Sequence, residues 1–303
     1  MSTSFNTVYD DMKSSLKLAW KSMLSYFLAN LGMVIVVAIL AGLIAIPILG
    51  VAFVALAPLS EASMIAFADW AFANPLAVGS LGILALVLVV SLLMVVSGSI
   101  YGMSYDLVTT GETKAEAAFS YLRHKFLTYA GTGAILTIIV IVPPVIAWGF
   151  TAYAMGMTVT GLASQLLTIF TFVWVFITAG LTSMVFPAVS SGKGVQESFK
   201  ESYSLATRYF DRVFGVLVAI VLLLVITFGP IIVWSISLVA IGTVPVLAFG
   251  PTLVALMIWT VVFAFLWLLL FLPMVRITWV KVYQDLTGGK VATQRVVDQV
   301  PIV

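Results

Sequence analysis

The sequence contains no cysteine, and His124 is its only histidine among 303 residues. The absence of cysteine excludes disulfides, thiolate metal sites and cysteine nucleophiles. A histidine-based metal site or Ser/His/Asp arrangement would have to use His124, which stands between Arg123 and Lys125 without a second ligand or a nucleophile motif nearby. We therefore predict no catalytic residue, no metal site and no cofactor, and we expect that the protein is not an enzyme.

Charged residues are scarce too: they form 9% of the chain, whereas hydrophobic residues form 62%. Soluble domains have about a quarter of their residues charged, and a core of this size could not hide so much apolar surface from water. Lipid must therefore cover part of the molecule. Because the formal net charge is only +2, nucleic acid is not an expected partner.

Residues 126–192 and 213–275 carry no charge of either sign. A membrane span needs about 20 apolar residues, so each stretch can cross a bilayer twice, and residues 22–113 can do the same. The predicted spans lie near residues 27–50, 77–100, 127–150, 164–187, 213–238 and 250–273. The sequence therefore predicts an all-α integral membrane protein with six transmembrane helices.

The fourteen lysines and arginines lie in four segments, residues 13–21, 114–125, 193–212 and 276–295. With six spans, all four segments fall on one side of the membrane, and the loops without basic residues fall on the other. Since basic loops stay in the cytoplasm, we predict that both termini are cytoplasmic.

An internal repeat appears when the chain is compared with itself at an offset of 183 residues. The matches include Lys17 with Lys200, Tyr26 with Tyr209, Gly32 with Gly215, and Pro47 with Pro230. A shortened middle copy contains Lys125, Phe126, Gly131, Pro143 and Pro144. We predict a single membrane domain, residues 1–303, built from three parallel units (8–111, 112–192 and 193–289) and followed by a tail, 290–303, that docks on a partner surface. Each unit would consist of an amphipathic interfacial helix followed by two spans.

The helix that opens the first unit places Val8, Met12, Leu16, Trp20 and Met23 at three- and four-residue steps. A row of lysines lies on the other side. The row is repulsive by a few tenths of a kcal/mol per pair, but anionic headgroups favour each lysine by about 1 kcal/mol. We predict lipid headgroup contacts for Lys13, Lys17, Lys21, Arg123, Lys125, Arg208 and Arg212. Alternatively, these helices are simple in-plane connectors.

No acidic or basic group lies inside the predicted spans, and their polar residues are serines and threonines. The threonines at 168, 171, 178 and 182 form a stripe that suits a packed interface or, less well, a pore lining. Small residues spaced by four, Gly98 with Gly102 and Ala179 with Ser183, predict close helix packing. Helix kinks are expected at Pro47, Pro143, Pro144 and Pro230. They would either open a central cavity or only splay the helices.

Residues 198–210 read SFKESYSLATRYF and run straight into a span, residues 15–21 read SLKLAWK, and residues 283–286 read YQDL. This pattern resembles a prokaryotic superfamily of six-span proteins that includes the membrane domain preceding some glycerophosphodiester phosphodiesterases. The resemblance implies this architecture and a prokaryotic plasma membrane. It implies no catalytic residue, because the phosphodiesterase activity of those proteins belongs to a separate soluble domain.

The expected function is therefore that of a non-catalytic scaffold, assembly or accessory subunit with lipid contacts. Its expected partners are membrane lipids and other membrane subunits or a second copy. The alternative is a permease or channel whose path runs between the three units. A third reading is an enzyme acting on lipid headgroups, which would need an interfacial cluster involving His124, Asp106 or Asp285.

Overall fold

The computed structural model describes residues 5–56, 65–66, 69–70, 72–156, 158–241, 250–289 and 291. Within this part the chain forms helices and no strand. The helices are α1 (Phe5–Lys21), α2 (Met23–Leu56), α3 (Pro75–Thr110), α4 (Ala115–Leu136), α5 (Val142–Ala154), α6 (Gly161–Thr182), α7 (Val185–Ser190), α8 (Val195–Arg208), α9 (Phe210–Ile241), α10 (Gly250–Leu266) and α11 (Leu272–Thr287). Short π-helical segments join α4 to α5 (Thr137–Ile141) and α10 to α11 (Trp267–Phe271).

Six helical stretches are long and apolar enough to cross a membrane, which confirms the predicted all-α, six-span fold. They are Met23–Leu43, Pro75–Thr110, Ala115–Ala154, Gly161–Ser190, Phe210–Trp234 and Val254–Thr287. The last stretch continues well past residue 273, where the predicted span ends. Hydropathy misses this extension because Arg276, Lys281 and Asp285 lower the local average. The helix nevertheless continues, because its buried side chains pack against the rest of the protein.

The packing of the bundle is concentrated at one end. This end contains α1, α7, α8 and the last turns of α3 and α11, and we call it the basic end. Buried side chains lie here in every span, for example Tyr26 in α2, Met103 in α3 and Ile277 in α11. Toward the other end the helices expose apolar side chains, such as Leu76 (84% exposed) and Phe265 (58%). Such surface is stable only when lipid or another apolar partner covers it.

Two glycines of α3 allow α4 to approach closely. A Cβ atom on Gly98 would lie 2.3 Å from Cδ1 of Tyr129, and one on Gly102 would lie 2.2 Å from Cγ of Tyr121. The aromatic rings therefore occupy the space that a larger side chain would need. The predicted close-packing face at these two glycines is confirmed.

Three helical segments, α1, the first half of α4 and α8, each precede a span, and we call them the surface helices. A break in helical geometry separates each of them from the span that follows it. Ser22 lies between α1 and α2. Lys125 interrupts α4 with φ −121° and ψ 18°, and Tyr209 lies between α8 and α9 with φ −119° and ψ 44°. Each break lets a helix on the basic end turn into the bundle.

The surface helices and the first spans contact one another in a closed ring. The first half of α4 packs on α2, α8 packs on α4, and α1 packs on α9. In each case a glycine of the span faces a side chain of the surface helix. A Cβ atom on Gly32 would lie 2.4 Å from Phe119, one on Gly131 3.7 Å from Val195, and one on Gly215 3.2 Å from Val8.

Each π-helical segment is followed, after one intervening residue, by a proline. In a π segment the N–H of a residue would bond the carbonyl five residues earlier, but proline has no N–H. The carbonyl of Ile139, five residues before Pro144, accepts a bond of 3.0 Å from Nε1 of Trp174 instead. The carbonyl of Leu268, five residues before Pro273, accepts one of 3.4 Å from Nδ2 of Asn30.

The other two prolines of the kink prediction lie within continuous helices. Pro230 is inside α9, which runs through it without a break, and one turn earlier the carbonyl of Thr227 accepts a bond of 2.8 Å from Nε1 of Trp259. Pro47 belongs to α2, and its side chain lies outside the described residues. Kinks at these two positions stay predictions.

Candidate functional site

Four charged side chains from three helices meet at the basic end, and we call this group the α1 clasp. Arg212 of α9 donates from Nη2 to Oδ2 of Asp11 on α1 (2.9 Å) and to Oδ2 of Asp285 on α11 (2.7 Å). Lys281 Nζ lies 3.3 Å from Oδ1 of Asp11 and donates to Oγ of Ser14 (2.7 Å). The clasp fastens α1 to the last span and to α9.

The α1 clasp is electrically balanced and largely shielded from solvent. Two cations face two carboxylates, and the side chain of Asp11 is only 6% exposed. Charges this far from solvent are stable only when they are paired and hydrogen-bonded. The role of the clasp is therefore structural, because both carboxylate oxygens of Asp11 face a cation of the protein.

Sequence reasoning missed this arrangement. The sequence predicts a lipid headgroup contact for Arg212 and predicts no partner for Asp11. Their positions are 201 residues apart, so local spacing cannot pair them. One signal was present: Asp11 shares a helical face with Val8, Ser15 and Ala19, all of which are buried.

A second network joins α7, α8 and α11. Lys193 forms an ion pair with Glu201, and the hydroxyl of Tyr283 donates to Oε2 of Glu201 (3.0 Å) and lies 3.2 Å from Oγ of Ser191. Burial lowers the pKa of the Lys193 ammonium, but its hydrogen bond to Glu201 and its proximity to Tyr283 outweigh burial. The pKa of Lys193 therefore lies above its usual value.

A third network holds α4 against α7. Nζ of Lys125 donates to the carbonyls of Val189 (2.7 Å) and Ser190 (3.1 Å), which lie at the C-terminal end of α7. A cation is favourable there because the helix dipole is negative at that end. Tyr129 lies 3.1 Å from Oγ of Ser190. Lys125 thus has a protein partner in place of the predicted headgroup.

The remaining residues of the headgroup prediction are accessible. Lys13, Lys17 and Lys21 are all exposed along one side of α1, and Arg123 and Arg208 are exposed on α4 and α8. The exposed side of α1 also carries two aromatic residues, Tyr9 (56% exposed) and Trp20 (66%). Trp20, which was predicted on the apolar face, lies beside the lysines because Asp11 and Ser15 turn the buried face toward the clasp.

His124 and the acidic residues do not form a reactive cluster. Nδ1 of His124 lies 2.8 Å from the carbonyl of Ser120, one turn earlier in α4. Asp106 accepts a bond from the hydroxyl of Tyr121 (2.9 Å), and Asp285 belongs to the α1 clasp. In the described ranges no group of three or more acidic or histidine side chains could hold a metal ion.

Arg276 points into the bundle and not toward the surface. Its Nη1 donates to Oδ1 of Asn30 (3.4 Å), and Nδ2 of the same Asn30 donates to the carbonyl of Leu268. Among the described residues no carboxylate pairs with Arg276. Neighbouring Tyr26 is buried with its hydroxyl 2.7 Å from Oγ of Ser104. This polar group secures α2 against α3 and α11.

A cavity of about 250 Å³ lies where the predicted units meet, and we call it the central cavity. Its walls come from α3, α4 with its π segment, α6, α7, α9 and α11. The polar members of this wall are Tyr101, Thr137, Thr182 and Ser183. Its apolar members include Phe186, which stacks on Tyr101 with ring centres 5.4 Å apart.

A second, larger space of about 430 Å³ lies between α5, α6 and α9, and we call it the side cleft. It opens on the surface of the spans. Thr168 and Thr171 of the predicted threonine stripe line it, whereas Thr182 lines the central cavity. Thr178 lines neither space and donates to the carbonyl of Trp174 (2.7 Å), so the stripe is divided between three environments.

These features define a multi-pass α-helical membrane protein whose charged residues build a structural layer at one end of the bundle. Comparison with protein-family models, with characterised proteins and with solved structures finds no match to this chain. The docking of the tail stays a prediction: Val291 packs in the core at the basic end, and residues 292–303 lie outside the described residues.

Proposed function

We propose that this protein is a non-catalytic scaffold or accessory subunit of the plasma membrane that contacts lipid through its surface helices. The observation that carries the proposal is the α1 clasp. It fixes one face of α1 in the protein and leaves Lys13, Lys17 and Lys21 exposed beside Trp20. Lysines beside aromatic residues are the combination that suits an anionic membrane surface.

The three predicted units support the same proposal. In each, a break separates a surface helix from a first span, and the surface helix packs on the first span of another predicted unit. Toward the end opposite the basic end, apolar side chains are exposed. A body that is packed at one end and exposes apolar side chains at the other suits a subunit around which lipids or other membrane helices assemble.

Native mass spectrometry of the detergent-solubilised protein tests the lipid contact with added phosphatidylglycerol or phosphatidylcholine. We expect the protein to retain phosphatidylglycerol in preference to phosphatidylcholine. Each of Lys13→Gln, Lys17→Gln and Lys21→Gln should lower the retention of phosphatidylglycerol about fivefold, since one lysine near the surface is worth about 1 kcal/mol. Lys114→Gln with Lys200→Gln is the matched control outside α1. Equal retention of the two lipids, together with a monomer that carries no partner subunit, would contradict the proposal.

A permease or channel is the second candidate function. The observation in its favour is the central cavity, to which helices of all three predicted units contribute. Flux measurements on reconstituted liposomes test this candidate. Solute passage that Ser183→Trp blocks would favour the permease over the scaffold, whereas liposomes that stay impermeable would remove it.

A further inference from the structure

The side cleft and the central cavity are neighbours. Both are lined by Ala179 of α6 and Leu217 of α9, so these two residues lie at the boundary between them, which we call the neck. The cleft lies at the apolar surface of the spans, and the wall of the cavity includes Tyr101 and Trp279 at the basic end. The two spaces together therefore extend from the lipid-facing surface to residues of all three predicted units.

The serine and threonine hydroxyl groups along these two spaces already have partners within the protein. None of the residues that line either part is charged. The bonds are Thr137 to the carbonyl of Gly133 (2.7 Å), Thr182 to that of Thr178 (2.7 Å), Ser183 to that of Gly180 (2.9 Å), Thr168 to that of Ser164 (2.8 Å), and Trp148 Nε1 to Oγ1 of Thr171 (2.9 Å). A polar solute that left water for these walls would lose most of its hydrogen bonds, because the serine and threonine donors are already used and Tyr101 carries the remaining hydroxyl group of the wall. A hydrocarbon would lose none.

The dimensions of the space also distinguish between apolar occupants. A helix about 10 Å in diameter and 5.4 Å in pitch fills about 420 Å³ per turn. The side cleft, at about 430 Å³, would hold one turn, and the neck at Ala179 and Leu217 would stop the helix there. A flexible, unbranched chain can pass such a neck and fill both parts, which restores the packing contacts that an empty apolar cavity lacks.

We propose that the side cleft and the central cavity together bind one acyl chain of a membrane lipid. The chain enters from the bilayer between α6 and α9 and passes Ala179 and Leu217. Its end lies against Leu136 and Thr137 in the centre of the ring. The site is separate from the lysines of α1, so its test does not depend on the scaffold role.

Photocrosslinking tests this proposal on the full chain in liposomes. The probe is phosphatidylcholine with a diazirine at the end of one acyl chain, and labelled residues are mapped by mass spectrometry. Leu136 and Thr137 are the diagnostic positions because they are 9% and 1% exposed, so lipids that merely surround the protein cannot reach them. We expect labelling there in the unaltered protein. Labels confined to exposed positions outside both spaces, such as Leu84, would overturn the proposal.

Two variants test the route. Ala179→Phe fills the neck and is expected to lower labelling of Leu136 and Thr137 about tenfold, equivalent to ~1.4 kcal/mol, with labels at Leu84 unchanged. Ala85→Phe, at an exposed alanine of α3, is the matched control and should leave all labels as they are. If Ala179→Phe does not fold, Ala179→Leu narrows the same neck. Central labelling that persists in a folded neck variant would overturn the proposed entry route and with it the site.

Discussion

Asp11 on the first helix and Arg212 on the fifth span form an ion pair of 2.9 Å across 201 residues of sequence. This pair lies where α1 packs on α9, which is the contact that closes the ring of surface helices and first spans. Without it, α1 would keep its contacts with α11 but lose its charged anchor on α9. The pair therefore connects the first helix to the fifth span through electrostatics as well as packing.

Asp11→Asn should lower the free energy of unfolding by about 3–5 kcal/mol, because it removes the carboxylate that Lys281 faces and one of the two carboxylates that Arg212 bonds. Thermal unfolding in detergent measures the loss, and limited proteolysis should cut within α1 sooner. Asp10→Asn is the control, since Asp10 is an exposed neighbour. Equal melting temperatures for the two variants would show that the clasp does not anchor α1.

Gly98→Ala should destabilise the protein by about 1–3 kcal/mol, because the new Cβ overlaps the ring of Tyr129 and forces α3 and α4 apart. Gly82→Ala in the same helix is the control. Nothing lies within 4 Å of a Cβ at Gly82, and alanine favours the helix by about 1 kcal/mol. Chemical or thermal unfolding should therefore move in opposite directions for the two variants. An equal loss of stability in both variants would mean that Gly98 is needed for backbone flexibility and not for the close approach of α3 and α4.

Lys125→Met should loosen α7, since charge-assisted hydrogen bonds to the carbonyls of Val189 and Ser190 are worth about 1.5–3 kcal/mol. Hydrogen exchange followed by mass spectrometry should show faster exchange in residues 184–192. Arg123→Met removes an exposed cation two residues away and should leave that peptide protected. Unchanged exchange in Lys125→Met would assign the stability of α7 to its apolar packing alone.

Lys193 should contribute a pH-dependent part of stability. Its pKa is raised in the folded state, so its contribution is fully present below the unfolded value of about 10.4 and is lost as the pH rises through the folded value. The melting temperatures of the unaltered protein and of Lys193→Gln should therefore differ at pH 8, and the difference should shrink as the pH rises above about 10.4. A difference that stays constant over this range would mean that the ion pair with Glu201 is not what stabilises this region.

The sequence could predict the six spans and the glycine face of α3, because both depend on local patterns: runs of apolar residues and small residues at helical spacing. Arg212 and Lys125 illustrate the limit. Each is a basic residue at a span end, where position alone indicates a lipid headgroup, yet each bonds a protein group that is distant in sequence. The lining of the central cavity could not be predicted either, because Tyr101, Leu136 and Trp279 come together only in the folded bundle.

The closed ring also sets an order of events during synthesis. Ribosomes add about 5–20 residues per second, so the 201 residues that separate Asp11 from Arg212 correspond to about 10–40 s. For most of that interval α1 has left the ribosome, while α9 and α11, which will hold it, have not yet been made. The exposed lysines of α1 suit it to the membrane surface in the meantime. The contact between α1 and α9 cannot form until the last third of the chain is made, so termination before Arg212 would leave four of the six spans and no closed ring.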